Sequence, residues 1–186
     1  MTCIAGVVTH DNVVYIGGDS AAISNWNMTV RAVAKVFYNG PMLFGYTTSF
    51  RMGQLLQYAL VIPEQKPTQS IYEWLVTTFL DAVREGLKEG GYALKEKEQE
   101  SAGQFLVGYR NHLFEIDDDY QVNETLGNMA AIGCGAPYAL GSLYSTTTYT
   151  ELSPHSRIFE ALRVAQHFSA GVREPFHILR LPREEA

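Results

Sequence analysis

The residues best suited to chemistry stand near the start of the chain. The sequence opens Met1-Thr2-Cys3-Ile4-Ala5-Gly6-Val7-Val8, with a threonine between the start methionine and an apolar run. Aminopeptidases remove a start methionine when the next residue is small, and threonine qualifies. Removal leaves a hydroxyl nucleophile and a free α-amine on one residue. That amine titrates near about 8, close to where a general base for neutral pH must lie. A threonine activated by its own amine is an established nucleophile arrangement. Two charged residues join it. Asp19 closes the stretch Ile16-Gly17-Gly18-Asp19-Ser20, and Lys35 opens Lys35-Val36-Phe37. Each has a plainer reading alone: an aspartate after Gly-Gly serves a turn, and a lysine ahead of a strand is a solvated edge residue. A hairpin that returns the chain to its start would bring Asp19 close to Thr2.

The elements needed to position these residues are legible. Residues 2–9 and 13–17 are apolar and β-branched, and His10-Asp11-Asn12 between them reads as a hairpin turn. Ala32–Tyr38 and Met42–Tyr46 read as two more strands around Asn39-Gly40-Pro41. Met52, Leu55, Leu56, Ala59 and Leu60 follow helical spacing, with Ser49 as the cap. A second helix is predicted from Ile71 to about Lys88, ended by Gly90-Gly91. The charged run Lys95 to Ser101 reads as a solvated loop or helix end. Gln104–Tyr109, His112–Asp117, Tyr120–Val122 and Ala130–Gly133 are further strands. A helix begins near Pro137, and a last one at Ser153-Pro154 runs to about His167. Pro175–Leu181 reads as a final strand. Hairpin-linked strands with helices in consecutive pairs imply two packed, mainly antiparallel sheets with helices outside each. Nothing divides the chain, so residues 1–186 are expected to form one domain.

Composition narrows the function classes. The 186 residues are 46% hydrophobic, enough for a sizeable core, and only 18% charged, which fits surface buried against partner subunits. A net charge of −6 without a dense basic cluster argues against nucleic-acid binding. Cys3 and Cys134 do not make a disulfide framework. The five histidines show no metal spacing. Gly133-Cys134-Gly135 lacks the third glycine of a dinucleotide-binding turn, because position 138 is tyrosine. No cofactor is expected. No charged-then-apolar leader and no membrane-length apolar run appears, so the expectation is a soluble cytoplasmic protein.

Together, Thr2, Asp19 and Lys35 resemble the N-terminal-nucleophile (Ntn) peptidases of the proteasome β-subunit class, and most of all the bacterial proteasome-like peptidase that works with a ring ATPase. That family begins with threonine and a strand, ends its second strand in Gly-Asp, and places a lysine before valine some sixteen residues later. Ala131-Ile132-Gly133-Cys134-Gly135-Ala136-Pro137-Tyr138-Ala139 is similar to the family's Ile-Gly-Ser-Gly-Gly-Pro-Tyr-Ala segment. The resemblance implies an α+β four-layer αββα sandwich, peptide-bond hydrolysis and a homo-oligomer, in the family a ring with an unfoldase partner. It implies Thr2 as nucleophile, its amine as base, Lys35 as the charge that favours the alkoxide, and Asp19 as the partner that keeps Lys35 charged. The oxyanion donor falls at the backbone N–H of Thr48 or Ser49.

The chain departs from the family at three places. Thr47-Thr48-Ser49 stands where the family has a Gly-Gly pair. Cys134 replaces a serine near the threonine amine, and a thiol donates weakly; taken alone, Cys134 reads as a core cysteine. His167 aligns with an aspartate near the end of the last helix, with Ser169 close by. Cys3, inside a strand start, reads as packed. A retained Met1 would acylate the Thr2 nitrogen. Two other readings therefore stand beside the peptidase: a non-catalytic structural subunit, and an amidase acting on a small molecule.

Overall fold

Strict alternation of apolar side chains gives most strands here two buried faces. In β1 (Ile4–Val8), Ile4 and Val8 point one way while Ala5 and Val7 point the other, and both sets are packed. β1 pairs antiparallel with β2 (Val14–Gly18), with Ile4 opposite Gly18. Asn12 in the connecting turn takes φ 60°, a conformation asparagine tolerates. Next comes a hairpin that the sequence reading passed over, β3 (Ala21–Ser24) and β4 (Asn27–Val30), turning on Asn25-Trp26 with Asn25 at φ 53°. The third expected strand is shorter than its apolar stretch. β5 is Val36–Asn39, and Lys35 stands immediately before it. β6 (Met42–Tyr46) follows across the Gly40 turn.

The computed structural model describes residues 1–92, 94–96 and 99–182. The helices are α1 (Phe50–Tyr58), capped by Ser49 as expected, then α2 (Ile71–Trp74), which runs through a π-helical stretch at Leu75–Phe79 into α3 (Leu80–Glu89). The charged run after them corrects the loop or helix-end reading. Its described residues form a hairpin, β7 (Leu94–Glu96) with β8 (Gln99–Ser101), while residues 97 and 98 lie outside the described residues. Then come β9 (Phe105–Tyr109), β10 (His112–Ile116), β11 (Val122–Glu124) and β12 (Met129–Ile132). Helices α4 (Ala136–Ser145) and α5 (Pro154–Phe168), the latter capped by Ser153, precede β13 (His177–Arg180).

Two antiparallel sheets result. One has the order β12-β1-β2-β13 and the other β11-β10-β9-β6-β5. Ile4, Val14 and Ile16 of the first meet Val36, Leu43, Leu106 and Leu113 of the second between the sheets. The outer face of the first sheet packs on α4 and α5 through Ala5, Val7, Leu143, Ile158 and Leu162. The outer face of the second carries Phe44, Phe105, Val107 and Phe114 against α1 to α3, where Trp74 and Phe79 are fully buried. The layering is therefore helices, sheet, sheet, helices. Both sheets are covered on both faces, so their central strands read as nearly continuous apolar runs. Asp19 and Lys35 enter at the end of this stack, where β2 finishes and β5 begins.

Candidate active site

The chain ends of three strands converge on one hydroxyl. Thr2 precedes β1, Asp19 follows β2, and Lys35 precedes β5. The β1–β2 register puts Ile4 beside Gly18, so Asp19 arrives next to Cys3. The Asp19 N–H donates to the Cys3 carbonyl at 3.2 Å, and the Cys3 N–H donates to Asp19 Oδ1 at 3.0 Å. A Cβ at Gly18 would meet the end of the Ile4 side chain on the neighbouring strand at 2.6 Å, so that side chain would have to shift to admit one.

The expected pair is present and dry. Lys35 Nζ donates to Asp19 Oδ1 at 2.7 Å and to Thr2 Oγ1 at 2.8 Å. Asp19 is fully buried, Lys35 is 1% exposed and Thr2 is 4% exposed. A buried ion pair holds only if its remaining valences are filled. Here they are: Asp19 Oδ2 accepts from the Ala21 N–H at 2.9 Å and the Arg173 N–H at 3.1 Å. Burial pulls the Lys35 ammonium below the ordinary lysine range, and the Asp19 charge and hydrogen bond oppose that pull. The charged state of Lys35 thus depends on Asp19. Burial also pushes the Cys3 thiol far up, which leaves it protonated and inert in the core, as expected.

The Thr2 hydroxyl accepts from Lys35 and donates to the Met1 carbonyl at 2.5 Å. With Met1 attached, the Thr2 nitrogen is an amide and has no basic lone pair. The threonine becomes a self-activated nucleophile only when Met1 is gone.

The rim of the site is of another character. Thr48 takes φ 70°, an outlying conformation for a β-branched residue. The Ser49 N–H closes on the Thr47 carbonyl at 2.8 Å around it, a γ-turn of the rarer and strained hand. The path is thus one a glycine would take, as in the family's pair, but threonine occupies it. Thr48 Oγ1 accepts from the Gln104 N–H at 3.3 Å, and its side chain packs on Gly103. The turn uses the Ser49 N–H, whereas the Thr48 N–H makes no hydrogen bond to the described residues. Of the two donors expected from sequence, Thr48 is the free one. Ser49 serves as the cap of α1, accepting from Arg51 and Met52.

Cys134 is exposed, which corrects the reading of it as a core cysteine. It leaves the core because Gly133, at φ 88°, turns the chain against the Thr2 carbonyl, where a Cβ would not fit. The Cys134 thiol donates to the Thr2 carbonyl at 3.4 Å and lies 3.4 Å from Ser169 Oγ. Ser169, the C-cap of α5, accepts from the Gly171 N–H at 3.3 Å. Both support residues expected from sequence therefore reach the nucleophile's neighbourhood. His167 does not: it is exposed, with its ring edge against Phe168. The sequence reading missed Ser20 and Arg173. The Ser20 N–H donates to the Arg173 carbonyl at 2.9 Å, and Ser20 Oγ donates to the Pro175 carbonyl at 2.6 Å. These tie the Asp19 turn to the segment before β13. The backbone carries most of that contact across 154 residues, so no side-chain spacing announces it.

Solved structures match this arrangement of strands and helices over nearly the whole chain. BPH from Thiobacillus denitrificans, in complex with epoxomicin, superposes with a TM-score of 0.80 at 19% identity, covering 98% of this chain and 100% of that one. Eukaryotic HslV from Trypanosoma brucei gives 0.70 at 16% identity, over 96% of this chain and 98% of that one. The chain has the proteasome-like fold. Anbu, the ancestral β-subunit from Yersinia bercovieri, shares it with a TM-score of 0.66 at 15% identity, over 98% of this chain and 82% of that one. No family model matches the sequence. At these identities the likeness establishes the proteasome-like layered sandwich alone. The finer chemistry rests on the residues of this chain.

Proposed function

We propose that this chain is a threonine-type peptidase whose nucleophile is Thr2, freed by removal of Met1. The observation that carries the proposal is the buried relay Asp19–Lys35–Thr2, with contacts of 2.7 and 2.8 Å. Packing alone does not call for a lysine and an aspartate buried beside a hydroxyl, since even a fully paired buried ion pair is often no more stabilising than well-packed apolar residues of similar volume. In the reaction, the Thr2 amine takes the hydroxyl proton, directly or through a water. Lys35 stabilises the alkoxide that attacks the peptide carbonyl. The Thr48 N–H receives the developing oxyanion, a contribution typically worth about 3–4 kcal/mol. The C–N bond then breaks as the protonated Thr2 amine returns its proton to the leaving amine, and Thr2 Oγ1 carries the acyl group until water, deprotonated by the same amine, releases it. Cys134 and Ser169 orient the Thr2 main chain.

The chain is proposed to act on peptides or unfolded protein as one domain of a cytoplasmic homo-oligomer, with a ring and an ATPase unfoldase as further parts of the reading. Exposed Trp26, Met28 and Val30 on the β3–β4 hairpin, and Leu126 before β12, are suited to subunit contacts. Among the described residues no helix is long and apolar enough to cross a membrane.

The test is hydrolysis of a fluorogenic peptide panel by the chain with Met1 removed, by the same chain with Met1 retained, and by Thr2→Ala. Cleavage by the first alone supports the proposal. Equal cleavage by Thr2→Ala refutes it. Thr48 and Cys134, standing where the family has glycine and serine, favour one rival, the structural subunit. That rival prevails if purified native assemblies keep Met1.

A further inference from the structure

We propose that Arg31 makes this site selective for an acidic side chain at the residue whose carbonyl is attacked. The inference rests on the peptidase reading and names its substrate class. Arg31 follows β4, and its N–H donates to the Ser20 carbonyl at 2.9 Å, one residue from Asp19. Its guanidinium stands 5.1 Å from the centroid of the Phe50 ring, and Lys35 Nζ lies 5.9 Å from the same centroid. Arg31 and Lys35 are therefore no further apart than those two distances end to end. Lys35 in turn touches Thr2 Oγ1 at 2.8 Å. The carboxyl carbon of a glutamate at the attacked residue lies four bonds of about 1.5 Å beyond the attacked carbonyl, and a hydrogen bond of about 2.9 Å to the guanidinium covers most of what remains.

The electrostatics favour an anion here. Arg31 is exposed and has no acid partner among the described residues. Asp19, the nearest carboxylate to the nucleophile, is consumed by Lys35 and three backbone N–H groups. Arg173, tied by its backbone to Asp19 and Ser20, is likewise exposed without an acid partner. Both arginines stand on backbone segments bonded to the Asp19 turn, in a chain of net charge −6. Arg31 is also placed for recognition. A guanidinium resting on an aromatic face keeps its edge N–H groups free for a bidentate carboxylate contact. Tyr46, whose ring meets Phe50 edge-on at 6.1 Å, extends the aromatic wall behind it. Burial pushes the Tyr46 phenol up to about 12 against the opposing charge of Arg31, which is consistent with their proximity.

The test uses the chain with Met1 removed and three fluorogenic peptides that differ only in glutamate, leucine or arginine before the leaving group. The expected kcat/KM is about tenfold or more higher for glutamate than for leucine, and lowest for arginine. Arg31→Glu is expected to reverse the order of glutamate and arginine. Arg31→Gln removes the preference without reversing it and guards against a folding artefact. Cleavage of all three peptides at similar rates, or an unchanged order in Arg31→Glu, overturns this inference and leaves the peptidase reading standing. If none of the peptides is cleaved and none labels Thr2 as an electrophilic analogue, the peptidase reading falls and this inference with it.

Discussion

Asp19 and Cys134 both hold the main chain next to Thr2, and they do so by opposite means. Asp19 sits in the dry interior with four donors around its carboxylate, one of them a charged lysine. Cys134 sits at the exposed rim, joined to the Thr2 carbonyl by a thiol contact of 3.4 Å. Thr48, also exposed, occupies a strained turn and leaves its N–H unspent. The parts that carry charge are fixed by strand ends and saturated with hydrogen bonds. The parts at the exposed rim are weakly bonded. The difference teaches where substitution is tolerated: the interior relay is a single unit, while the rim accepts residues such as Thr48 and Cys134 in place of glycine and serine.

The largest effect is expected at Asp19. Asp19→Ala strips Lys35 of its only ion-pair partner among the described residues and leaves it in the core as a costly charge or a neutral amine, which costs about 3–5 kcal/mol, and it removes activity as well. Chemical denaturation checks this, and a loss under about 1 kcal/mol would mean that the interior is less dry than its burial implies. Asp19→Asn sharpens the point without emptying the site. Removing the charge that opposes burial lowers Lys35 further, so Lys35 loses its proton at a lower pH. The alkaline limb of the rate profile should therefore move to lower pH than in the parent chain. A limb that stays in place would separate Asp19 from the charge of Lys35.

Smaller effects are expected at the rim. Thr48→Gly relieves a positive φ that costs threonine of order 1–3 kcal/mol but loses the contact to Gln104. Stability is expected to hold or rise slightly, and activity to persist because the N–H remains. A clear loss of stability would show that the Thr48 side chain, not its backbone, is what the turn needs. Smallest of all, Cys134→Ser should change turnover by no more than a few-fold. A thiol reagent should modify one cysteine quickly in the folded chain, and Cys134→Ser should abolish that fast phase. Cys3, buried with its thiol held protonated, should react only on unfolding.

The same contrast explains what the sequence could reveal. The two sheets were legible because their strands alternate with both faces apolar, whereas Thr2, Asp19 and Lys35, each with a plainer reading alone, stood out only through their joint resemblance to the proteasome class. The β3–β4 hairpin escaped because β4 is exposed along its whole length and carries no buried face to set a period. The π-helical stretch at Leu75–Phe79 keeps a helical composition, so only its hydrogen bonds distinguish it. The Asp19–Arg173 contact escaped because a backbone N–H has no residue identity to read. Cys134 was misplaced because cysteine usually packs inside, and the positive φ of Gly133 that turns it outward is a conformational fact rather than a compositional one.

The central claim is that the buried relay serves the Thr2 hydroxyl and a freed Thr2 amine together. The most direct measurement is intact mass and peptide mapping of the chain, with and without Met1, after exposure to a peptide epoxyketone, whose two electrophilic carbons take one hydroxyl and one amine. The account expects one adduct per chain, on the N-terminal peptide carrying Thr2, only when Met1 is absent, and strongly slowed by Lys35→Ala. An adduct on Cys134 instead, or no adduct on the Met1-free chain, would contradict it.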